Sequence, residues 1–476
     1  MTLLAPLLAL ALLAEPPAAP PTPSPPPPSL SWGWFSEPEG AYVCGGKGDP
    51  VSPEGATVEV RSRPAAPAGS GGRGASFDAT PYRRRQLTVS ADLRTRSVSG
   101  AALLFLRIEK DGVTLGNDVS FQNALSGDTD WTPRSASLRV PPGATRIFFG
   151  VVLFGSGEVS ARRLRVEGSD RPRPDGPPSV SPEIVLDAAI AIVRSNALRR
   201  DAVDWAKAEP EICSLAGGAE EPSDVYPAIA LLLSKLGDRH SRLLTPRQFS
   251  DMNSAGAANP PVEVRSLPGH VGLVRVPGYW GNDLAAMERF ATQAHDALIE
   301  IRKEARCGWV VDLRGNTGGN MWPMVAALAP FLGEETLGCF EGGADPEQAW
   351  NARMASENPP PIVLEALQSA RVAVLTGPGT ASSGEAITTA FRGRPGTKSF
   401  GEPTAGLSTA NRPFPLPDGG AILLTVSVMA DRTGRWYGGP IEPDVRIEVP
   451  PGTTEDLALE AAVRWLRESP GCDVPK

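Results

Sequence analysis

The sequence predicts a multidomain protein: an all-β sandwich at the N-terminus, followed by an α/β core that carries a small helical subdomain. Three observations predict it. Over residues 30–168, short alternating apolar runs such as ALLFLRIEKDGV and SASLRVPPG are broken by Gly, Pro and Asp, the spacing of a sandwich. From residue 270 the pattern turns to strand, helix, strand in VGLVRV, DLAAMERFATQAHDALIEI and CGWVVDL, which is βαβ logic around a buried sheet. Two proline-rich stretches, PPAAPPTPSPPPPS and RPRPDGPPSVSPE, fall where stiff linkers would separate folded parts.

Length and composition agree with this division. A chain of 476 residues suggests two or three domains, and 41% apolar with 21% charged residues of both signs describes globular protein. A formal charge of -8 over that length gives no electrostatic footprint for nucleic acid. None of the five cysteines, Cys44, Cys213, Cys307, Cys339 and Cys472, sits in a CxxC pair, and there are only three histidines. A metal cluster or redox motif is therefore not expected. Two disulfides with one thiol left over are allowed, but spacing does not choose the pairs.

Taken in order, residues 1–19 hold a short apolar run at 3–13 followed by small residues, which reads as a secretory signal with export to an oxidising compartment. That run is too short to span a bilayer, and no later segment is apolar for long enough. Residues 20–29 form a stiff tether. The sandwich follows over 30–168. Its WGWFSEPEG and DTDW segments resemble jelly-roll, galactose-binding-like modules, which allows a glycan contact, but packing of Trp32, Trp34 and Trp131 in the core is the expectation.

A linker at 169–180 leads to a helical subdomain at 181–250. There Ser181, Pro182 and Glu183 make a helix start, and VYPAIALLLSKLGD continues as a second helix ending near Gly237. The α/β core spans 268–450, with further strands in RVAVLTG and AILLTVSVMA. A closing amphipathic helix, EDLALEAAVRWLRE, lies in 451–476.

Two stretches carry chemistry. In RVAVLTGPGTASSGEAITTAF a buried strand passes through a Gly-Pro-Gly turn straight into a helix, and Ser382 stands at the junction. A hydroxyl there is exposed at the sheet edge, and the free N–H groups of the helix start can hold an oxyanion. The bland alternative is that Thr380 or Ser382 only caps the helix. In VVDLRGNTGGNMWP a strand runs into Asp312, Arg314, Asn316 and a glycine pair, where backbone can approach a ligand closely.

In this order, with GDRHS, GEPTAG and GGPIEPDV, these segments resemble the tail-specific, or carboxyl-terminal processing, serine proteases. Tricorn protease and the retinoid-binding repeats share that core. The resemblance covers roughly 181–449 and implies a ClpP/crotonase-like fold acting on peptide or protein substrates without a cofactor. It makes Ser382 the nucleophile, the Ser383 N–H one oxyanion donor, and Gly318 or Gly319 the other.

The base departs from the best-known members. Where those carry a lysine, GEPTAGLS has Leu407, so a Ser-Lys pair is excluded there. Tricorn-like members use a histidine, and GDRHSRLL puts His240 in that segment, suited to take a serine proton near neutral pH. Tyr437 stands at the position of the tricorn orienting glutamate, so Glu385, Ser241 and Glu442 are the candidate supporting residues. His270 and His295 read as ordinary packed or solvated histidines. The short connector after Leu244 leaves no room for a PDZ domain. The rival reading is an inactive homologue that binds a peptide or apolar ligand in the same cleft.

Overall fold

The computed structural model describes residues 30–37, 39–47, 57–63, 69–119, 124–170, 180–253, 259–342, 345–356, 360–448, 453, 455–468 and 472. The export signal and tether expected over 1–29, and nearly all of the second linker, lie outside the described residues. Among the described residues no helix is long and apolar enough to cross a membrane.

The N-terminal strands are β1 (Ser31–Glu37), β2 (Tyr42–Lys47), β3 (Thr57–Ser62), β4 (Ser70–Asp78), β5 (Gln86–Lys110), β6 (Val113–Asp118), β7 (Leu125–Arg139), β8 (Arg146–Phe154) and β9 (Glu158–Ser169). They form one antiparallel network in the order β1-β4-β8-β5-β9-β3-β2, with β6 and β7 also on β5. The 25-residue β5 organises it. Its first half pairs with β7 and β9, its second half with β8 and β6. Residues from both halves, such as Leu87 and Leu93 with Leu104 and Leu106, close one buried cluster, because alternate side chains of each half turn inward.

Of the three tryptophans expected in this core, only Trp32 packs against it, edge-on to Phe149. Trp34 is 64% exposed on the edge strand β1. Trp131 lies outward between the guanidiniums of Arg94 and Arg162, which occupy the ring at 4.8 and 4.2 Å.

The N-terminal strand network is fastened to the next part. Leu115 of β6 is buried among the helices α1 (Pro182–Asn196), α2 (Trp205–Ala216) and α3 (Tyr226–Lys235), and Arg139 pairs with Asp224 at 2.8 Å. Helix α1 starts as its sequence requires, with Ser181 Oγ accepting the Ile184 N–H. The helical stretch then yields β10 (Arg242–Leu244), which leaves the helices and pairs with a strand of the core.

The core has two sheets. The first contains β11 (Glu263–Leu267), β12 (Val271–Arg275), β13 (Gly308–Asp312), β16 (Val372–Thr376), β17 (Thr397–Gly401) and β20 (Val445–Arg446), in that spatial order, parallel except for β11. Every residue of β13 and β16 is buried, as expected for strands covered on both faces. Helices α5 (Leu284–Ile301) and α6 (Met321–Leu332) cover one face, and α8 (Leu457–Arg467) the other. At roughly 2 kcal/mol per buried large aliphatic side chain, this layer is a large part of what holds the core. A disulfide between Cys307 and Cys472 fastens the end of α8 beside β13. Cys44 and Cys213 are free thiols.

The second sheet was not legible as such. It orders β10-β19-β14-β15, with β18 also on β19: β14 (Thr336–Gly342), β15 (Asp345–Asn351), β18 (Thr409–Pro415) and β19 (Ala421–Asp431). Strand β19 has β10 on one side and β18 on the other, since Leu423 pairs with both Arg242 and Pro413. That arrangement brings segments far apart in sequence to one place. Between Leu244 and Val271 the described residues form only a short helix α4 (Pro246–Asn253) and β11.

Candidate active site

Two loops leave the carboxyl ends of neighbouring strands β13 and β16, the edge where open α/β sheets keep their ligand sites. The loop after β16 enters α7 (Ser383–Phe391) through Gly377, Pro378 and Gly379. A side chain at Gly379 would meet Arg314 O at 2.4 Å, so glycine is required for this approach of the two loops. Thr380, fully buried, is not a cap of α7. Its Oγ donates to Leu313 O at 2.9 Å and ties one loop to the other.

Ser382 is held at φ 53° and ψ -117°, a conformation costly for a residue with a side chain. Such strain survives only where the surroundings over-determine it. The Ala381 N–H donates to Asn316 O, and the Ser383 hydroxyl donates to Gly319 O at 2.6 Å. Glu385, with no exposed surface, takes four donors: Ser382 N–H at 2.9 Å, Thr404 Oγ at 2.5 Å, Gly406 N–H at 3.0 Å and Leu407 N–H at 2.8 Å. Burial raises its pKa above the usual carboxylate value, and these donors pull it partly back. Glu385 therefore locks the turn at Ser382 to the GEPTAGLS segment; it does not touch a histidine.

The imidazole arrives from the loop before β10. Asp238 Oδ1 accepts the N–H groups of His240 and Ser241 at 2.9 and 2.6 Å, shaping a tight turn. His240 Nε2 lies 3.0 Å from Ser382 Oγ across 142 residues of sequence, and Nδ1 lies 2.7 Å from Thr409 Oγ1. With Nδ1 protonated and donating to Thr409, Nε2 is left as the acceptor for the serine proton. Burial, helped by Arg242 and opposed by Asp238, brings the His240 pKa down from 6.5 to about 4. The ring is thus neutral through the physiological range.

The glycine pair lies beside the serine. A Cβ on Gly318 would stand 2.8 Å from Ser382 Cβ. The Gly318 N–H is engaged, donating to Asn316 Oδ1 at 3.0 Å, which removes it as an oxyanion donor. Among the described residues the Gly319 and Ser383 N–H groups meet no protein acceptor. Gly319 has φ 106°, and a side chain there would run into Tyr279 O at 1.9 Å.

Strand-to-elbow geometry, a serine and histidine in contact, and an adjoining glycine loop agree with one comparison: residues 270–447 match the family described as Peptidase family S41. Residues 270–447 form an S41 serine-peptidase domain. The chain is 26% identical over 293 residues to the nisin-resistance protein of Lactococcus lactis subsp. lactis, covering 60% of this chain and 87% of that one. It is 23% identical over 258 residues to the carboxy-terminal processing protease CtpA of Bacillus subtilis (strain 168), where it spans about half of that relative's length (50%). A solved lipoprotein structure from Streptococcus agalactiae superposes with a TM-score of 0.52 at 25% identity, over 60% of this chain and 96% of the other.

Within the S41 domain and its helical neighbour, the other candidate supporting residues stand elsewhere. Glu442 is drawn toward Arg446 at 3.7 Å on the surface, because Arg392 and the Asp444 cluster fix its segment away from the imidazole. Ser241 donates to Asp238 Oδ2 and accepts the Thr425 N–H, so it braces the loop and not the ring. Tyr437 donates to Asp431. Sequence reasoning missed Thr409, the residue at Nδ1. Its only sequence signal is its place two residues after Leu407, where the chain turns into β18. His295 is buried within α5 against Ala326 O, and His270 precedes β12 at the surface.

Asp312, Arg314 and Asn316 act behind the loops. Burial alone would disfavour the Asp312 charge, yet Arg314 holds its carboxyl below the usual range and also grips Asp456 at 2.7 and 2.9 Å. Asn316 Nδ2 donates to Val276 O and Pro277 O.

Proposed function

We propose that this chain is an exported serine peptidase that hydrolyses peptide bonds by acyl transfer. The observation that carries the reading is the 3.0 Å contact of His240 Nε2 with the Oγ of a strained Ser382 at the start of α7. Ser382 Oγ attacks the scissile carbonyl as its proton passes to His240 Nε2, and Thr409 holds Nδ1–H so that the correct nitrogen faces the serine. The tetrahedral oxyanion is held by the Gly319 and Ser383 N–H groups at the positive end of α7. His240 then gives its proton to the leaving amine, and water attacks the acyl-enzyme by the reverse sequence. Thr409 replaces a carboxylate, so the imidazolium formed in the transition state is stabilised by a neutral dipole.

Export is supported by the apolar segment at 3–13 and by the Cys307–Cys472 disulfide, which persists in oxidising compartments. We read the core as ClpP/crotonase-like and the sandwich as jelly-roll-like. The inactive-homologue reading has the missing lysine and the missing orienting carboxylate in its favour, and against it stands the strain at Ser382, of which a binding cleft has no need. The test is labelling of the full chain with a fluorophosphonate, comparing wild type with Ser382→Ala and His240→Ala. Label on the wild type and on neither variant is the expected result; an unlabelled, well-folded wild type would send the assignment to a binding protein.

A further inference from the structure

The residue that follows Tyr279, which is bridged to Gly319, is an exposed tryptophan, and its backbone is held with unusual care. Trp280 is 41% exposed. Its N–H donates to Asn259 Oδ1 at 2.7 Å and its carbonyl accepts from Asn259 Nδ2 at 2.8 Å. On one side Tyr279 is bridged to the glycine pair, its N–H donating to Gly318 O and its carbonyl accepting from Asn320 N–H. On the other, Asn320 Nδ2 reaches Gly281 O and Asn282 Oδ1. The loop therefore has little freedom, yet it presents a large apolar ring to solvent. Leu284, at the start of α5, is 78% exposed just beyond it.

The ring adjoins the chemistry. A Cβ placed on Gly319 would lie 3.4 Å from Trp280 Cδ2, and Gly319 is the oxyanion donor in the reading above. In any peptide the Cα of the acyl residue lies about 2.4 Å from its own carbonyl oxygen, so an oxygen bound at Gly319 brings that residue's side chain within reach of the indole. A rigid tryptophan in such a place supplies large contact area at low entropic cost.

We infer that Trp280 is a specificity-determining residue, which selects substrates whose acyl-side residue at the scissile bond is apolar by packing that side chain on the indole face. This rests on the acyl-transfer reading of Ser382. The partner chemistry is an aliphatic or aromatic side chain, because the surface that Trp280 and Leu284 expose beside Gly319 is apolar.

The experiment uses the full chain with the N-acetyl p-nitrophenyl esters of glycine, leucine and phenylalanine, for wild type, Trp280→Ala and Trp280→Phe. The readout is the ratio of kcat/KM for each apolar ester to that for the glycine ester, in which a general loss of activity cancels. Wild type is expected to favour leucine and phenylalanine by about tenfold or more over glycine. Trp280→Ala is expected to bring both ratios near one, with Trp280→Phe in between. Ratios equal in wild type and Trp280→Ala, or a wild type that does not favour the apolar esters while it still takes the fluorophosphonate, would overturn the inference alone. A wild type inert to the fluorophosphonate and to all three esters would overturn the peptidase reading, and this inference with it.

Discussion

The nucleophile half and the base half of the site are built by different means. Ser382, Ser383 and Glu385 come from one continuous strand-turn-helix segment, and Glu385 accepts the Ser382 N–H within it while donors at 404–407 hold the carboxylate. His240 and Thr409 come from segments on either side of β19, and they meet Ser382 only because β10 and β18 flank that strand. The difference teaches that the nucleophile is a local structure and the base a tertiary one. Damage to the first should be severe wherever it falls. Damage to the second should be graded by how far each residue stands from the proton in flight.

The largest expected effect is at the nucleophile itself: Ser382→Ala should reduce peptide hydrolysis at least about 10⁴-fold, measured as kcat/KM on a peptide that wild type cleaves. Retained turnover above tenfold less than wild type would mean that the local half is not where the chemistry lies. Glu385→Ala comes next. It unfastens four donors at once, so kcat should fall about 10²-fold or more and the melting temperature should drop, whereas Glu385→Asp should restore part of both. An active, unshifted Glu385→Ala would break the idea that this carboxylate sets the elbow.

On the base side, Thr409→Val keeps the shape and removes the oxygen at Nδ1. A fall of about tenfold to a hundredfold in kcat with little change in KM is expected, and Thr409→Ser should recover it. Loss in KM alone would assign Thr409 to substrate binding.

The pH dependence sharpens the same contrast. Activity needs neutral His240, whose pKa is brought down to about 4, so the acid limb of kcat/KM should be governed near that value and activity should persist through pH 6, where a solvated histidine near 6.5 would already be protonated. Because the folded pKa lies below the unfolded one, the unfolded chain takes this proton first on acidification. The contribution of His240 to stability is therefore fully present above about 6.5 and lost as pH falls toward 4. A limb centred near 6.5 in a pH-rate profile would contradict the buried, neutral imidazole.

The smallest effect on chemistry should come from Cys472→Ser. It frees the end of α8, on the sheet face opposite α5 and α6, and should lower thermal stability, by at most about 5 kcal/mol on a chain-entropy estimate, with kcat nearly unchanged.

By itself the sequence determined the parts whose information is local. Alternation and turn residues marked the N-terminal strands, βαβ spacing marked the core, and a buried strand running through Gly-Pro-Gly into a helix marked Ser382. Resemblance then pointed to His240 and the glycine pair. Only the tertiary structure decided the rest. Gly318 and Gly319 are indistinguishable as letters, but the Asn316 side chain occupies one N–H and leaves the other. Thr409 is one threonine among many until β18 lies beside β19, and Glu442 and Ser241 are drawn off by partners from other strands. Backbone pattern follows from neighbours in sequence. A hydrogen-bond partner is settled by competition among whatever groups packing brings within 3 Å or so, and that competition has no period to read.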